Sequence, residues 1–299
     1  MQVSATASAA ALVDQIGVQE SSIISLEGQL GTGQGINRPS DNPDGTVAAM
    51  ALQSQISQAG SWSSNLTTAS SWLGMANDTA TSVVDGLQQA RTLMLQAMNQ
   101  GTQSSETYQA LSQQLLAIRS DLLGAANASF GGQPIFAGTS AGTSAYSSSG
   151  TYLGAGNAPS VVVGPGPGAG QSVAMSVTGP EIFGSGNASA FAVLSKAASD
   201  LVTPGGPSSA TLQADMSAID SSLDLAVGGA ATLGNLSTAV SKRTTELSNQ
   251  TTGLQSELSN LLSVNIPQVT SQLSSDLTDY QAALWAASKA IPPSLVEYL

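Results

Sequence analysis

The sequence contains no cysteine and no histidine among its 299 residues. Their absence excludes disulfide bonds, thiol nucleophiles, imidazole bases and the usual zinc ligands, and we expect no cofactor. Lysine and arginine together number only 7, against 19 aspartate and glutamate residues, so the net charge is −12. Because contacts to phosphate depend on lysine and arginine, neither nucleic acid nor an anionic membrane surface is expected as a partner.

Long apolar runs are also missing. No run reaches the roughly 18 residues that a transmembrane helix needs, so we expect no membrane insertion. The stretch Met1–Ala11 has neither a basic residue nor the apolar core of a Sec-type signal peptide. We therefore expect no signal peptide of that type.

Aromatic residues make up 4% of the chain and charged residues 9%, although hydrophobic residues reach 41%. A typical domain has about 25% charged residues. In this chain Ala, Ser, Gly, Thr, Gln and Asn take the place of the missing charged and aromatic residues. Small residues allow helices to approach closely but fill a wide core badly, so the composition favours an elongated molecule with thin cores.

The C-terminal part of the chain has an apolar stripe that repeats about every 3.5 residues, which we call the seam. Such a seam is typical of a helix that packs along another helix. If Leu233–Ile291 were one helix, it would be a rod of roughly 90 Å that needs partner helices to cover its seam. The seam positions are Leu233, Leu236, Val240, Arg243, Leu247, Gln250, Leu254, Glu257, Leu261, Ile266, Val269, Leu273, Leu277, Tyr280, Leu284, Ala287 and Ile291.

Three further helices are predicted in the N-terminal part. Residues 3–31 carry a matching seam, residues 46–99 carry a longer one, and residues 106–127 form a helix that returns along it. In the second of these helices, Arg91 could form an ion pair with Asp85 or Glu106. The first seam is Leu12, Ile16, Gln19, Ile23, Leu26 and Leu30, and the second is Trp62, Leu66, Ala69, Leu73, Ala76, Ala80, Val83, Leu87, Ala90, Met94 and Ala97.

A loop at residues 36–45 separates the first two helices. Two prolines, Pro39 and Pro43, forbid a continuous helix there. Asp41 and Asn42, with Ser40 and Asp44, are candidates for side-chain bonds to the backbone and for capping the next helix.

Residues 130–206 are rich in Gly, Ser and Pro and contain short β-like runs at 134–137, 151–153, 160–163 and 172–178. A short helix is predicted near Phe191–Val202. We therefore predict a mainly α fold with a β-rich insertion. The helical arms 1–132 and 208–299 would form a coiled-coil shaft, with the β domain 133–207 at its tip. The final arm is expected to loosen at Gly228-Gly229.

Two motifs resemble the bacterial flagellin superfamily. Residues 30–45 read LGTGQGINRPSDNPDG, similar to the family pattern LSTGxRINxPSDDPAG. Residues 87–102 read LQQARTLMLQAMNQGT, similar to LxxxRELxxQAxNGT. Gly35 stands where the family has Arg, and Thr92 where it has Glu, so contacts made by those side chains in relatives are not carried over.

Within the superfamily, the chain resembles the hook-associated protein 3 family, the hook–filament junction proteins, more than filament flagellins. Residues 130–139 read FGGQPIFAGT, similar to that family's GxYLFGG turn. Residues 294–299 read SLVEYL, similar to its usual ending. Residues 233–261 loosely resemble its GARLNRLE helix, and the flagellin opening INTN is absent. Flagellin, the filament-forming subunit, is the alternative.

This resemblance implies a structural, non-enzymatic protein of the bacterial flagellum, exported unfolded by the flagellar type III apparatus and located outside the cell. It would form a ring between hook-associated protein 1 and flagellin and would bind an export chaperone. Leu295, Val296 and Leu299 are the chaperone candidates. The candidates for contacts between copies are Asn37, Arg38, Asp41, Asp44, Leu12, Ile16, Ile23, Leu26, Leu30, Leu273, Leu277, Leu284, Trp285 and Ile291.

Two other classes of protein compete with this one. An enzyme could use Asp41 with Asp44, or Asp276 with Asp279, but loop capping and solvated helix faces explain these carboxylates. No spacing in residues 130–207 is typical of a metal site. A secreted coiled-coil adhesin would have no reason to carry the loop at residues 36–45.

Overall fold

The computed structural model describes residues 2–99, 104–165 and 170–290. The predicted class, mainly helical with a small β insertion, is confirmed. The elements in chain order are α1 (Gln2–Thr32), α2 (Pro43–Met98), α3 (Ser105–Ala126), β1 (Ser129–Phe130), β2 (Gln133–Pro134), β3 (Ser160–Gly164), β4 (Gln171–Ala174), α4 (Pro180–Phe183), α5 (Ala190–Leu201), α6 (Ser209–Leu262) and α7 (Ile266–Ala290).

The chain divides into two units. The first unit combines Met1–Gln58 with Gln250–Leu299, and the second is Ala59–Asn249. Helices α2 and α6 each contribute residues to both units.

The second unit contains a continuous hydrophobic core. The long seam predicted on α2 supplies much of this core, because every seam position from Leu66 to Ala97 is buried and Trp62 is half-buried. Helix α2 continues without a break through Gly60, Gly74 and Gly86. Tertiary packing along the seam outweighs the helix-propensity cost of about 1 kcal/mol for each glycine.

The first unit has a sparse core. Only three hydrophobic side chains of its described residues are buried, namely Ile23, Ala49 and Leu52, each with 8% exposure. Helices α1 and α7 pack against each other. Most of their predicted seam residues are nevertheless half-buried or exposed, so one chain covers the seam incompletely.

The expected continuous rod from Leu233 to Ile291 is wrong. Helix α6 ends at Leu262, and α7 begins at Ile266. Pro267 explains the break, because its ring lacks an N–H and would clash with the carbonyl four residues earlier in a continuous helix. Asn265 caps α7, because its side-chain Oδ1 accepts a 3.4 Å hydrogen bond from the Gln268 N–H. Its backbone carbonyl accepts the first helical bond, 2.9 Å from the Val269 N–H.

The expected loosening of α6 at Gly228-Gly229 is also wrong, because the helix runs straight through both residues. Gly228 has open space around it. A Cβ on Gly229 would lie 2.6 Å from Ile182 Cγ1 and 2.9 Å from the Glu181 carbonyl oxygen of α4. Gly229 therefore permits the close approach of α4 to α6.

The insertion contains less strand than predicted. β1 pairs with β2, and β3 pairs with β4, both antiparallel. Ile135, Phe136 and Ala137, predicted as strand, are fully buried core residues outside any strand. Four aromatic rings, Phe136, Tyr146, Phe183 and Phe191, pack within 5.0 to 5.5 Å of one another in linked pairs. The predicted short helix is confirmed as α5, which packs on α3.

Arginine side chains connect distant segments of the second unit. Arg91 pairs with Asp220 of α6 at 2.7 Å, so the expected pairing with Asp85 or Glu106 is wrong. Arg243 Nε donates a 3.2 Å hydrogen bond to the Val163 carbonyl of β3. Three carbonyl oxygens, those of Phe191, Ser148 and Ser149, accept hydrogen bonds from Arg119.

Lys196 of α5 lies between two carboxylates. It donates to Asp215 at 2.8 Å and also to Asp200. Asp215 is 3% exposed and its Oδ2 atom has no hydrogen-bond partner. Burial raises the pKa of Asp215, and the hydrogen bonds to Asp200 and Asp215 raise the pKa of Lys196.

Candidate functional site

The loop between α1 and α2 carries three of the candidate contact residues, Asn37, Arg38 and Asp41, and the fourth, Asp44, follows in the first turn of α2. Gly33 ends α1 with a φ of +69°, a left-handed conformation that glycine adopts without strain. Its N–H donates a 2.9 Å bond to the Gln29 carbonyl, which closes the last turn of the helix.

Side chains within this loop replace regular backbone pairing. Asp41 Oδ2 accepts hydrogen bonds from the N–H of Asn37 at 3.1 Å and from the N–H of Arg38 at 2.8 Å. Asn37 Nδ2 donates to the Gln34 carbonyl at 3.3 Å, and Thr32 Oγ1 lies 2.9 Å from Asn37 Oδ1. The carboxylate of Asp41 therefore fixes the turn.

Asn42 starts α2. Its Oδ1 accepts a 2.8 Å hydrogen bond from the Gly45 N–H, and Pro43 occupies the first helical position. Gly45 is buried. A Cβ added at this position would lie 2.7 Å from both Asn42 Nδ2 and Ile36 Cδ1. Of the predicted capping residues, Asn42 caps the helix, Asp41 bonds the preceding turn, and Asp44 is exposed in the first turn of α2.

The loop pairs with the break between α6 and α7. The Gly35 N–H donates a 2.7 Å bond to the Leu262 carbonyl, and the Val264 N–H donates a 3.2 Å bond to the Gly33 carbonyl. Gln34 and Ser263 form an antiparallel bridge between these bonds. Two sequence-distant interruptions thus satisfy each other's backbone groups.

A polar contact joins the terminal helices α1 and α7. Ser22 Oγ of α1 donates to Asp276 Oδ2 of α7 at 2.9 Å, and Gln272 donates to the other oxygen of Asp276 at 2.8 Å. Lys289 Nζ lies 5.4 Å from the ring centroid of Trp285, a cation–π contact on the exposed side of α7.

The candidate contact residues differ in exposure. Asn37, Arg38, Asp41 and Asp44 are exposed. On α1, Ile23 is buried, whereas the half-buried residues are Leu12, Ile16, Leu26 and Leu30. On α7, Leu273 is half-buried, and the exposed residues are Leu277 at 39%, Leu284 at 45% and Trp285 at 72%. Ile291, Leu295, Val296 and Leu299 lie outside the described residues.

Sequence reasoning missed exposed apolar residues next to these candidates. Val13, Val18 and Ile24 of α1 are 60%, 72% and 56% exposed, and Val47 and Met50 of α2 are 67% and 63% exposed. No single apolar stripe in the sequence points to the three residues of α1, because Val18 lies about 140° around the helix from Val13.

No metal or membrane chemistry is evident in the part of the chain that the structure describes. It contains no group of three or more His, Cys, Asp or Glu side chains placed to hold a metal ion. None of its helices combines the length and the hydropathy needed to cross a bilayer.

The comparisons with known proteins agree on one family of folds. Residues 3–141 match the model of the bacterial flagellin N-terminal helical region. No curated protein matches the sequence.

Three solved structures resemble the chain. FlgL from Bacillus cereus has 18% identity and a TM-score of 0.58, with 70% of this chain and 99% of that one covered. A Vibrio parahaemolyticus protein described as a flagellar hook-associated protein has 21% identity and a TM-score of 0.64, with 75% and 100% covered. Flagellar hook-associated protein 3 from Legionella pneumophila has 15% identity and a TM-score of 0.59, with 71% and 98% covered.

At these identities the three structures establish the fold. Residues 3–141 are similar to the bacterial flagellin N-terminal helical region, and the fold of the chain is that of these three solved structures.

Proposed function

We propose that this chain is a structural component of the bacterial flagellum, a hook–filament junction protein of the hook-associated protein 3 (FlgL) type, and not an enzyme. The flagellin N-terminal region at residues 3–141 and the three similar structures support this proposal. The turn at residues 130–139 and the ending at residues 294–299 favour a junction protein over a filament flagellin.

One observation of the structure carries the proposal. The helices of the first unit have the 3.5-residue seam of helices that pack on other helices, yet the described part of that unit buries only three hydrophobic side chains. The exposed Leu284 and Trp285 of α7 and the exposed outer residues of α1 need a partner to be removed from water. Assembly with further chains supplies one.

In this proposal the chain is exported unfolded by the flagellar type III apparatus and orders its terminal helices on assembly outside the cell. Ordering on assembly costs conformational entropy, which the newly buried seam offsets. The contacts between copies are formed by Asn37, Arg38, Asp41 and Asp44 and by the mainly apolar candidates Leu12, Ile16, Ile23, Leu26, Leu30, Leu273, Leu277, Leu284, Trp285 and Ile291. Residues 133–207 act as a domain inserted between the arms 1–132 and 208–299.

The proposed partners are other copies in a ring, hook-associated protein 1 on one side and flagellin on the other. An export chaperone binds the C-terminal segment through Leu295, Val296 and Leu299. These assignments rest on the resemblance of the sequence motifs to the family.

Deletion of the gene, followed by electron microscopy of the cells and a flagellin assay of the culture medium, tests this function. We expect hooks without filaments and flagellin shed into the medium as monomer, with recovery when the intact gene is returned. If filaments alone are missing, both junction proteins are in place and no other flagellin is made, the chain is the filament subunit. Normal flagella in a strain without a second copy of the gene would contradict both roles.

A further inference from the structure

The last turns of α7 expose a face that carries no carboxylate. Gln281, Leu284, Trp285, Ser288 and Lys289 are all exposed, and their spacing of i, i+3, i+4, i+7 and i+8 places them on one side of the helix. We call these five residues the α7 face. Leu284 is 45% exposed and Trp285 is 72% exposed, so two large apolar side chains lie next to each other in water.

The single charge of the α7 face is the ammonium group of Lys289. Its Nζ lies 5.4 Å from the ring centroid of Trp285. Among the residues that the structure describes, no ion pair includes Lys289. It is also the only basic residue of the sequence after Arg243. A segment complementary to the α7 face therefore combines apolar side chains with a carboxylate.

The next segment of the sequence has this composition. Residues 291–299 read IPPSLVEYL, and Glu297 is their only charged side chain. Side chains alternate along an extended segment, so an extended conformation would place Leu295, Glu297 and Leu299 on one side. That side presents two leucines with a carboxylate between them.

The segment is also long enough to reach the α7 face. Pro292 and Pro293 are incompatible with a helix that continues, because each lacks an N–H and clashes with the carbonyl four residues earlier. Residues 294–299 span up to about 20 Å when extended, whereas Trp285 lies only about 7.5 Å before Ala290 along the axis of α7. A chain that reverses at the two prolines therefore passes over the α7 face.

We infer that, in the unassembled chain, residues 294–299 fold back on the α7 face and pair Glu297 with Lys289. The leucines of the segment then cover the indole ring of Trp285. The ion pair is weak in water, so most of the affinity comes from the apolar contact. Because the segment and the face belong to one chain, the segment is present at a high effective concentration.

This contact is autoinhibitory. Its consequence rests on the proposed function, in which Leu284 and Trp285 contact other copies and Leu295, Val296 and Leu299 bind the export chaperone. A segment that occupies the α7 face keeps it from other copies, and it keeps its own leucines from the chaperone. Assembly and chaperone binding must each displace this contact, so free copies stay apart until then.

Fluorine NMR of the purified full chain, labelled with fluorotryptophan, tests the docking. The sequence has 3 tryptophans, and Trp285→Phe identifies the resonance of Trp285. The full chain is compared with a chain shortened to end at Pro293. We expect the shortening to move the Trp285 resonance and to increase its solvent isotope shift, the difference in chemical shift between water and heavy water. Trp62 and Trp72 belong to the second unit and should keep their resonances.

A charge exchange separates the ion pair from a general effect of charge. Glu297→Lys should increase the solvent isotope shift of Trp285, and adding Lys289→Glu to the same chain should restore much of the protection. Glu257→Lys, at an exposed glutamate of α6, is the matched control and should leave that isotope shift unchanged. Unchanged circular dichroism shows that each variant keeps its helices.

An equal solvent isotope shift of Trp285 in the full and shortened chains would overturn the docking and leave the proposed function intact. Protection of Trp285 that disappears on dilution would show that a second copy covers the face, which also overturns the inference. In analytical ultracentrifugation the shortened chain should associate at lower concentrations than the full chain, and equal or weaker association would overturn the autoinhibition. Normal flagella in the deletion strain would refute the proposed function without affecting these measurements.

Discussion

Gly228 and Gly229 are neighbours in α6, but they should respond in opposite ways to the same substitution. Gly228 has no atom of another segment near the position of an added Cβ. Gly229 faces α4, where an added Cβ would lie 2.6 Å from Ile182 Cγ1 and 2.9 Å from the Glu181 carbonyl oxygen. Ile182 is fully buried and cannot turn away into solvent.

The expected magnitudes follow from two terms. Replacing glycine by alanine inside a helix stabilises it by about 1 kcal/mol. This term applies to both positions and should appear undiminished in Gly228→Ala. In Gly229→Ala it is opposed by overpacking, which costs about 1–3 kcal/mol when backbone and buried side chains must shift. The two variants should therefore differ by about 1–3 kcal/mol, with Gly228→Ala the more stable.

Urea unfolding followed by tryptophan fluorescence measures this difference, because Trp72 is buried in the second unit. Comparison at an unchanged m-value isolates the effect on stability. Ile182→Ala in the Gly229→Ala background removes one of the two close contacts, so the double variant should show favourable coupling. If Gly229→Ala is as stable as Gly228→Ala, the close packing of α4 on α6 is refuted.

Three other substitutions test polar contacts. Lys196→Met removes the cation beside buried Asp215 and should destabilise the second unit by about 1 kcal/mol near neutral pH, a modest value because Lys196 is largely exposed. Burial raises the folded pKa of Asp215, so the stability contributed by its proton is present at low pH and lost as pH rises through that pKa. The Lys196→Met penalty should therefore shrink in urea titrations at acid pH, and an equal penalty at both pH values would contradict this explanation. Asn42→Ala removes the cap of α2 and should cost about 1 kcal/mol, seen as faster amide exchange in its first turn, whereas exposed Ser40→Ala should change nothing. Arg243→Met removes the hydrogen bond to β3 and should accelerate amide exchange in that strand alone. Equal acceleration by Lys242→Met, at an exposed neighbouring residue, would show that this hydrogen bond does not protect the strand.

Local periodicity was enough to predict α1, α2 and α3, although it merged α6 and α7 into one helix. The seam of α2 correctly identified buried positions from Leu66 to Ala97, because a helix has one face toward its core and that face repeats every 3.6 residues. The breaker residues correctly placed a loop before α2, and one of the four candidate capping residues, Asn42, caps that helix. These features depend on residues within a few positions of one another.

The errors arose where the outcome depends on another segment. Arg91 was assigned a nearby partner, but it pairs with Asp220, which becomes a neighbour only when α6 packs beside α2. The break at Pro267 was different, because the proline was visible and the regular seam spacing obscured it. Ile135, Phe136 and Ala137 were predicted to lie in a strand, but they are buried in the core without strand pairing.

For the candidate site, the sequence indicated the polar loop and the seams of the terminal helices. It did not indicate that Val13, Val18 and Ile24 are exposed, since exposure is a property of what packs nearby. Nor did it indicate that the loop bonds to the break between α6 and α7.

The sequence by itself determined the helical character, the position of the loop and the absence of thiol and imidazole chemistry. Tertiary structure alone decided which of two adjacent glycines lies against α4, which carboxylate pairs with Arg91 and how little of the terminal seams one chain covers. The physical reason is that helix periodicity and capping are short-range, whereas burial and ion pairing depend on segments that the chain brings together only by folding.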